Sequence, residues 1–422
     1  MELYIDSMRR SIFSSVISTT VVSCYFFPFE FTFLPKGVNT KIILAVLGIL
    51  FIYFYGLKKS YRVLHRNLVI ATIIAIVFSL FGFIAVDYNH TNDFTYSLYI
   101  FSFITWLGGA YAVCCILRYF NGEATFRLIF HYLIIVSVLQ CILALAIDFI
   151  EPFKVWIDSY ISQETITDDA FLQKVDRLYG IGAALDVAGT RFSIVLLGLA
   201  ALMSHGQEVR NNKSLLFFYS LAFFIICIVG NMISRTTSVG MVLALGYLLY
   251  AIQISNKGID KRSIFLWSIV FSVVVLISSA SIYLYYNDAS IHNLLRYGFE
   301  GFFNWGEKGK WYTESTNRLN NTMWIWPTDM KTWLIGKGSF EYMGTDIGYC
   351  RFIFYSGLPG LIIFSIFFIY NAIANMDKLG PYKKFCIAIL FLGFVIWLKV
   401  STDLFIMYAL LYCMDEKKEV GV

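Results

Sequence analysis

Apolar residues in this chain fall into long runs separated by polar connections, and the runs are close to the roughly 20 residues needed to cross a hydrocarbon core. Twelve can be read, over 11–34, 41–57, 68–86, 95–117, 128–150, 180–203, 214–233, 237–255, 264–285, 351–373, 384–398 and 402–414. They predict an all-α fold, a polytopic helical membrane protein of about twelve transmembrane helices. The last two runs are short, and a single helix over 384–414 is the alternative, which would leave the C-terminal tail outside. The whole of 1–422 reads as one integral-membrane domain, without the internal repeat of inverted-topology transporters. Two polar connections stand apart, 151–179 and the large loop 286–350 between the ninth and tenth runs.

Composition agrees with the pattern. Only 14% of the 422 residues are charged and 58% are hydrophobic, whereas soluble domains carry about 25% charged residues. Placing both termini in the cytoplasm puts 18 of the 33 Lys and Arg on short inner segments. The short outer loops then hold only Lys36, Lys41, Arg235 and Lys399, which is the positive-inside bias. The net charge of +5 is therefore an orientation signal and gives no reason to expect nucleic acid as a partner. Seven of the eight Cys lie inside the runs, so no disulfide framework is expected outside. The basic N-terminus and the apolar run after it lack a small-residue cleavage site before Glu30, and read as a retained first helix.

The large loop holds five of the nine Trp: Trp305, Trp311, Trp324, Trp326 and Trp333. Within it, Leu319, Met323, Trp326, Met330 and Trp333 recur at helical spacing, predicting one amphipathic helix over Asn317–Leu334, capped by Thr316 or Ser315 and bent at Pro327. Ile335-Gly336-Lys337-Gly338 then breaks it. Such a helix either roofs a cavity between spans from the membrane surface or is a packed cap.

Arginines lead the candidate chemistry. Arg191 sits inside the sixth run, where an ionised guanidinium costs at least about 2.5–3.5 kcal/mol unless paired or hydrated. It marks either a wet anion-binding cavity or a structural pair with Asp186, and Gly180, Gly182 and Gly189 suggest an irregular or closely approached helix there. Arg235 lies in the short connection Ser234-Arg235-Thr236-Thr237-Ser238, where hydroxyls and a helix N-terminus surround a phosphate-binding fork. The alternative is an Arg snorkelling to headgroups. Arg177, Arg318 and Arg351 stand near the same face, which would suit a lipid-linked diphosphate.

Glu341 and Asp346, just before the tenth run, either serve as a general base on an acceptor hydroxyl or simply neutralise Arg351. Trp324, Trp326 and Tyr349 offer faces for sugar rings, and the Trp residues serve equally as an aromatic belt. His292, the single His of the large loop, has no partner motif. No HExxH, Cys/His cluster, P-loop, GxSxG or GxGxxG occurs, so neither a metal nor a nucleotide cofactor is expected.

The order of these elements resembles a known family. The short Arg235 loop and the large outer loop are followed by Asn317-Arg318-Leu319, Leu334-Ile335-Gly336-Lys337-Gly338, Thr345-Asp346-Ile347-Gly348-Tyr349 and Gly357-Leu358-Pro359-Gly360-Leu361. This resembles the O-antigen polymerase and ligase superfamily of bacterial inner-membrane glycosyltransferases, most closely its Wzy-type repeat-unit polymerases. The topological likeness covers nearly the whole chain, and the motif likeness covers about 177–240 and 315–361.

The resemblance implies a metal-independent, cofactor-free enzyme of polysaccharide and lipopolysaccharide biosynthesis, working at the periplasmic face. Its donor and acceptor would be undecaprenyl-diphosphate-linked oligosaccharides, in contact with membrane lipid and with a chain-length regulator protein as a partner. Arg177 and Arg235 match the superfamily's diphosphate arginines, with Arg318 or Arg351 completing the set. Ligases of the superfamily carry a His before the span after the large loop; here that stretch holds Asp346 and no His, which favours polymerase over ligase. A lipid-linked oligosaccharide flippase is the rival from another class, and the clustering of charge outside the spans counts against it.

Overall fold

The computed structural model describes residues 2–56, 65–162, 178–253, 281–341 and 343–415, together with 268, 271, 272, 275 and 279. The fold is all-α and 78% helical. In chain order its main helices are α1 (Glu2–Phe26), α2 (Thr40–Gly56), α3 (Arg66–Asn89), α4 (Tyr99–Asn121), α5 (Phe126–Phe149) and α6 (Glu151–Tyr160). There follow α7 (Leu185–His205), α8 (Lys213–Ile233), α9 (Thr237–Gln253), α10 (Ala289–Gly298), α11 (Glu300–Lys308) and α12 (Glu314–Thr322). The last are α13 (Met330–Leu334), α14 (Gly348–Met376), α15 (Lys384–Ile396) and α16 (Phe405–Cys413). Two short antiparallel strands, β1 (Glu30–Phe31) and β2 (Ile161–Ser162), tie the end of α6 back to the segment after α1.

Among the described residues six helices are long and apolar enough to cross a bilayer, α3, α4, α5, α7, α8 and α14, and they make the chain a multi-pass membrane protein. The expectation of twelve is corrected by length. At about 1.5 Å per residue, the 17 residues of α2 or α9 extend only about 25 Å. The 13 of α15 and 9 of α16 extend about 20 and 14 Å, short of a core about 30 Å thick. The apolar part of α1 is likewise short, Ile12–Phe26. The ninth run, 264–285, lies largely outside the described residues. A single helix over 384–414 is not formed: the Trp397 indole donates to the Thr402 carbonyl (2.8 Å) across a corner between α15 and α16.

The chain divides into two compact units. The first comprises Met1–Leu44, Val113–Phe303 and Met414–Val422. Its central helix is α7, buried along nearly its whole length against α5, α8 and α9. Close packing comes from small residues: a Cβ on Gly240 of α9 would stand 2.3 Å from the Ser193 Cα of α7. Asp415 is fastened to α4 and to the turn between α4 and α5. It accepts from Arg118 Nε (2.7 Å) and the Ala124 N–H (2.6 Å), and its own N–H donates to the Ala124 carbonyl (3.0 Å).

The second unit comprises Ala45–Ala112 and Asn304–Cys413. Its core is aromatic: Phe364 of α14 stacks on Phe78 (4.3 Å) and on Trp397 (5.6 Å). Helix α14 is broken at Ser356 and Gly357, whose φ of 70° and ψ of 178° only glycine adopts freely. Pro359 has no N–H, so the Tyr355 carbonyl loses its helical donor. The segment Gly336–Gly338 supplies what is missing: Lys337 N–H donates to the Phe354 carbonyl (2.6 Å) and Gly338 N–H to the Tyr355 carbonyl (3.0 Å). Two glycine motifs far apart in the chain are thus the two halves of one splice.

The single amphipathic helix expected over Asn317–Leu334 is two helices, α12 and α13. Thr313, rather than Ser315 or Thr316, caps the first by accepting from the Thr316 N–H (3.1 Å). The interruption lies around Met323–Asp329, where Met323 is buried with Ile347, Cys350 and Phe354. Asp329 restarts the helix by accepting from the Thr332 N–H (2.7 Å). Burial of Met323 and the proline break the helix outright where a bend was expected.

Candidate functional site

In the first unit, α7 presents different chemistry on two faces. The turn before it is fixed by the buried Gln140 of α5, whose amide accepts from the Ile181 N–H (2.9 Å) and donates to the Ile181 carbonyl (2.8 Å). Gly182, at φ 68°, passes so close to the Phe27 carbonyl that a Cβ would lie 2.4 Å from it. Arg191 donates from Nη1 to the Gly182 carbonyl (3.2 Å), with its guanidinium 5.6 Å from the centre of the Phe27 ring. It is 7% exposed. No carboxylate among the described residues pairs with it, and Asp186, the expected partner, is engaged elsewhere.

Asp186 serves the other face. Its carboxylate accepts from Ser234 Oγ (3.3 Å) and, in a very short bond, from Thr236 Oγ1. Ser193 adds a bond to the Thr236 carbonyl (3.2 Å), and Gly189 leaves room for Ser234 against the helix. Thr237 Oγ1 caps the Gly230 carbonyl (2.9 Å), and Ser238 donates to Asn231 Oδ1 (2.6 Å). The hydroxyls read as phosphate donors are therefore engaged in holding the connection between α8 and α9.

Arg235, at the tip of that connection, is about one-fifth exposed. Its Nη1 lies 2.5 Å from Glu300 Oε2 and its guanidinium 4.2 Å from the Tyr297 ring centre. Both partners come from the large loop, at the end of α10 and the start of α11. Asp288 begins α10 by accepting from the Ser290 and Ile291 N–H groups. Gly298 lets it close on Asn231, where a Cβ would stand 3.2 Å from the main chain. His292 stacks on Tyr285 (4.1 Å), and Tyr285 on Phe303 (5.0 Å), an internal support for this part of the loop.

The remaining expected residues lie in the second unit, apart from Arg177, which falls outside the described residues. Arg351 donates to the Phe340 carbonyl (2.7 Å) and covers the Phe340 ring at 3.6 Å. Its charge also acts on Asp93. Partial burial would raise the Asp93 carboxyl; bonds from Thr95 and Phe340, with Arg351 nearby, outweigh that and hold it below the usual carboxylate range. Asp346 is half-buried and Glu341 exposed, and neither carboxylate pairs with Arg351 or with another described residue. Arg318 is exposed on α12. Trp324 and Trp326 are exposed and lie ring to ring with Trp333, whose indole donates to the Pro327 carbonyl (2.8 Å). The Tyr349 hydroxyl is engaged by the Phe394 carbonyl (2.9 Å).

Sequence reasoning did not find Glu300 or Tyr297. Both sit in a loop rich in acids and aromatics, and nothing in their spacing singles them out. Among the described residues no three His, Cys, Asp or Glu side chains converge as a metal site. No protein-family model, curated protein or solved structure matches the chain. The class defined by the fold is a multi-pass helical membrane protein whose first unit holds a buried arginine with no carboxylate partner among the described residues.

Proposed function

We propose that this chain is a glycosyltransferase of the bacterial inner membrane, a Wzy-type polymerase of lipid-linked oligosaccharide repeat units. On this reading it transfers the growing glycan from undecaprenyl diphosphate to a sugar hydroxyl of the next unit at the periplasmic face. The observation that carries the reading is Arg191. A guanidinium buried in an apolar helix with no carboxylate partner among the described residues is costly, and a diphosphate supplies a counter-charge in a form that a guanidinium binds well.

The chemistry follows from that charge. As the anomeric C–O bond breaks, negative charge grows on the leaving diphosphate, and Arg191 stabilises it in a poorly hydrated setting. Arg235 contributes once the donor phosphate shares or displaces Glu300. Asp346 and Glu341, with no described partner for their carboxylates, are the candidate bases for the acceptor hydroxyl. A single displacement inverts the anomeric centre.

The test is the profile of undecaprenyl-linked intermediates and surface glycan in a strain carrying Arg191→Leu at normal protein level. The lipid carrier should stall at one repeat unit, with polymer reduced at least about 100-fold, and Arg191→Lys should restore little because it lacks the fork. Full polymer from Arg191→Leu overturns the assignment. Finished polymer left on the carrier identifies a ligase instead, and single units trapped on the cytoplasmic side identify a flippase.

A further inference from the structure

The second unit contains a strip of buried polar groups that glycan transfer does not use. Asn371 and Asn375 lie one turn apart on α14 and are wholly buried. Their amide nitrogens donate to the carbonyls of Phe367 (2.7 Å) and Asn371 (2.9 Å), and both Oδ1 acceptors are left without a partner among the described residues. On α16, Tyr408 and Tyr412 are also one turn apart and buried; the Tyr408 hydroxyl has no partner among the described residues, whereas the Tyr412 hydroxyl faces the Asn375 amide. The two pairs share one seam. Phe367 meets Phe405 (5.4 Å), Phe368 meets Tyr408 (6.2 Å) and Tyr412 lies beside Asn375, so α14 and α16 run side by side in the same direction.

At one end of the seam Thr402 Oγ1 is another buried atom without a partner among the described residues. Thr402 and Tyr408 line a cavity with Phe368, Ile389, Trp397 and Leu404, holding about 10 Å³ of water-sized space. One unpaired buried hydrogen-bonding group takes a sizeable part of a fold's net stability, and several in one seam compound the cost. The set is chemically complementary, two amide acceptors with three hydroxyls that donate and accept. The cavity has room for roughly one water and for nothing larger.

The geometry points to a water-binding seam between α14 and α16. One ordered water bonds Thr402 Oγ1 and the Tyr408 hydroxyl, and further water bridges the Tyr408 hydroxyl to Asn371 Oδ1. The seam gives Tyr408 a route for proton exchange through a core that is otherwise aromatic. Radiolytic hydroxyl labelling of the full-length protein in lipid nanodiscs tests it, because bound water makes a neighbouring buried tyrosine reactive. Tyr355 is the control: it is as buried as Tyr408, but its hydroxyl donates to the Asp93 carbonyl (2.7 Å).

Tyr408 should be labelled at least about tenfold faster than Tyr355, and Tyr408→Phe should lower the melting midpoint by several degrees. Equally slow labelling of both tyrosines overturns the seam. So does a higher midpoint for Tyr408→Phe, which would mean a dry, unpaired hydroxyl had been removed. A lower midpoint without labelling would mean a direct Tyr408–Asn371 hydrogen bond, and that too overturns it.

Discussion

Two interruptions of helical structure invite comparison, the connection between α8 and α9 in the first unit and the break inside α14 in the second. Each exposes main-chain groups among apolar helices, where water is scarce and unpaired groups are expensive. In the first, side chains make the repair: Asp186 gathers Ser234 and Thr236, and Thr237 caps Gly230. In the second, main chain makes it, through the N–H groups of Lys337 and Gly338. A main-chain repair is neutral and depends only on shape. A side-chain repair carries charge and holds up an arginine whose ion-pair partner, Glu300, comes from another loop. The first interruption is thus the one suited to chemistry, and the second to holding a shape.

The sharpest way to break this contrast is Gly357→Ala. The backbone at φ 70° and ψ 178° is closed to alanine, and the added Cβ would stand 2.6 Å from the Leu334 carbonyl group. Strain and clash together should cost at least about 3 kcal/mol. The expected outcome is loss of monodisperse protein on thermal size-exclusion analysis, and a folded Gly357→Ala protein of normal midpoint would show that the splice is dispensable.

Asp186→Ala should have the next largest effect. It removes the carboxylate that accepts from two hydroxyls, worth roughly 2–3 kcal/mol for bonds to a charged acceptor. Asp186→Asn should recover part of that, since one amide oxygen still accepts. Thermal midpoints of the two variants beside wild type decide it, and equal midpoints would mean that Asp186 does not hold the connection.

The smallest effect concerns pH and belongs to the neutral repair. The Asp93 carboxylate accepts from the Phe340 N–H and so ties down the segment that follows Gly338. Its folded pKa is depressed, so its contribution is complete well above the unfolded value of about 3.9. That contribution fades as pH falls below about 4 and through the depressed folded value. Hydrogen exchange over 336–341 should therefore quicken on acidification relative to α14, and Asp93→Asn should remove this acid dependence. An unchanged acid profile in Asp93→Asn would contradict the assignment.

What the residues reveal in advance follows from how local each feature is. The six long helices were legible because a run of 20 apolar residues carries its own signal. The short helices were overcounted because apolar composition does not fix length: α15 and α16 are apolar but only 13 and 9 residues long. The Arg235 connection was legible as a hydroxyl-rich stop between two runs. That its hydroxyls serve Asp186 was hidden, because the pairing depends on α7 lying against α9. Glu300 was hidden for the same reason, and so was the meaning of Gly336–Gly338, which lies in the carbonyls of Phe354 and Tyr355.

The splice in α14 also bears on how the chain is made. Gly336–Gly338 precedes α14, so the donors are synthesised before the carbonyls they serve. A newly inserted α14 would carry two bare carbonyls in the hydrocarbon until that segment reaches them. Integration of this span is thereby coupled to the arrival of a preceding loop segment, which makes its assembly a joint step of loop and helix rather than the independent insertion of one hydrophobic rod.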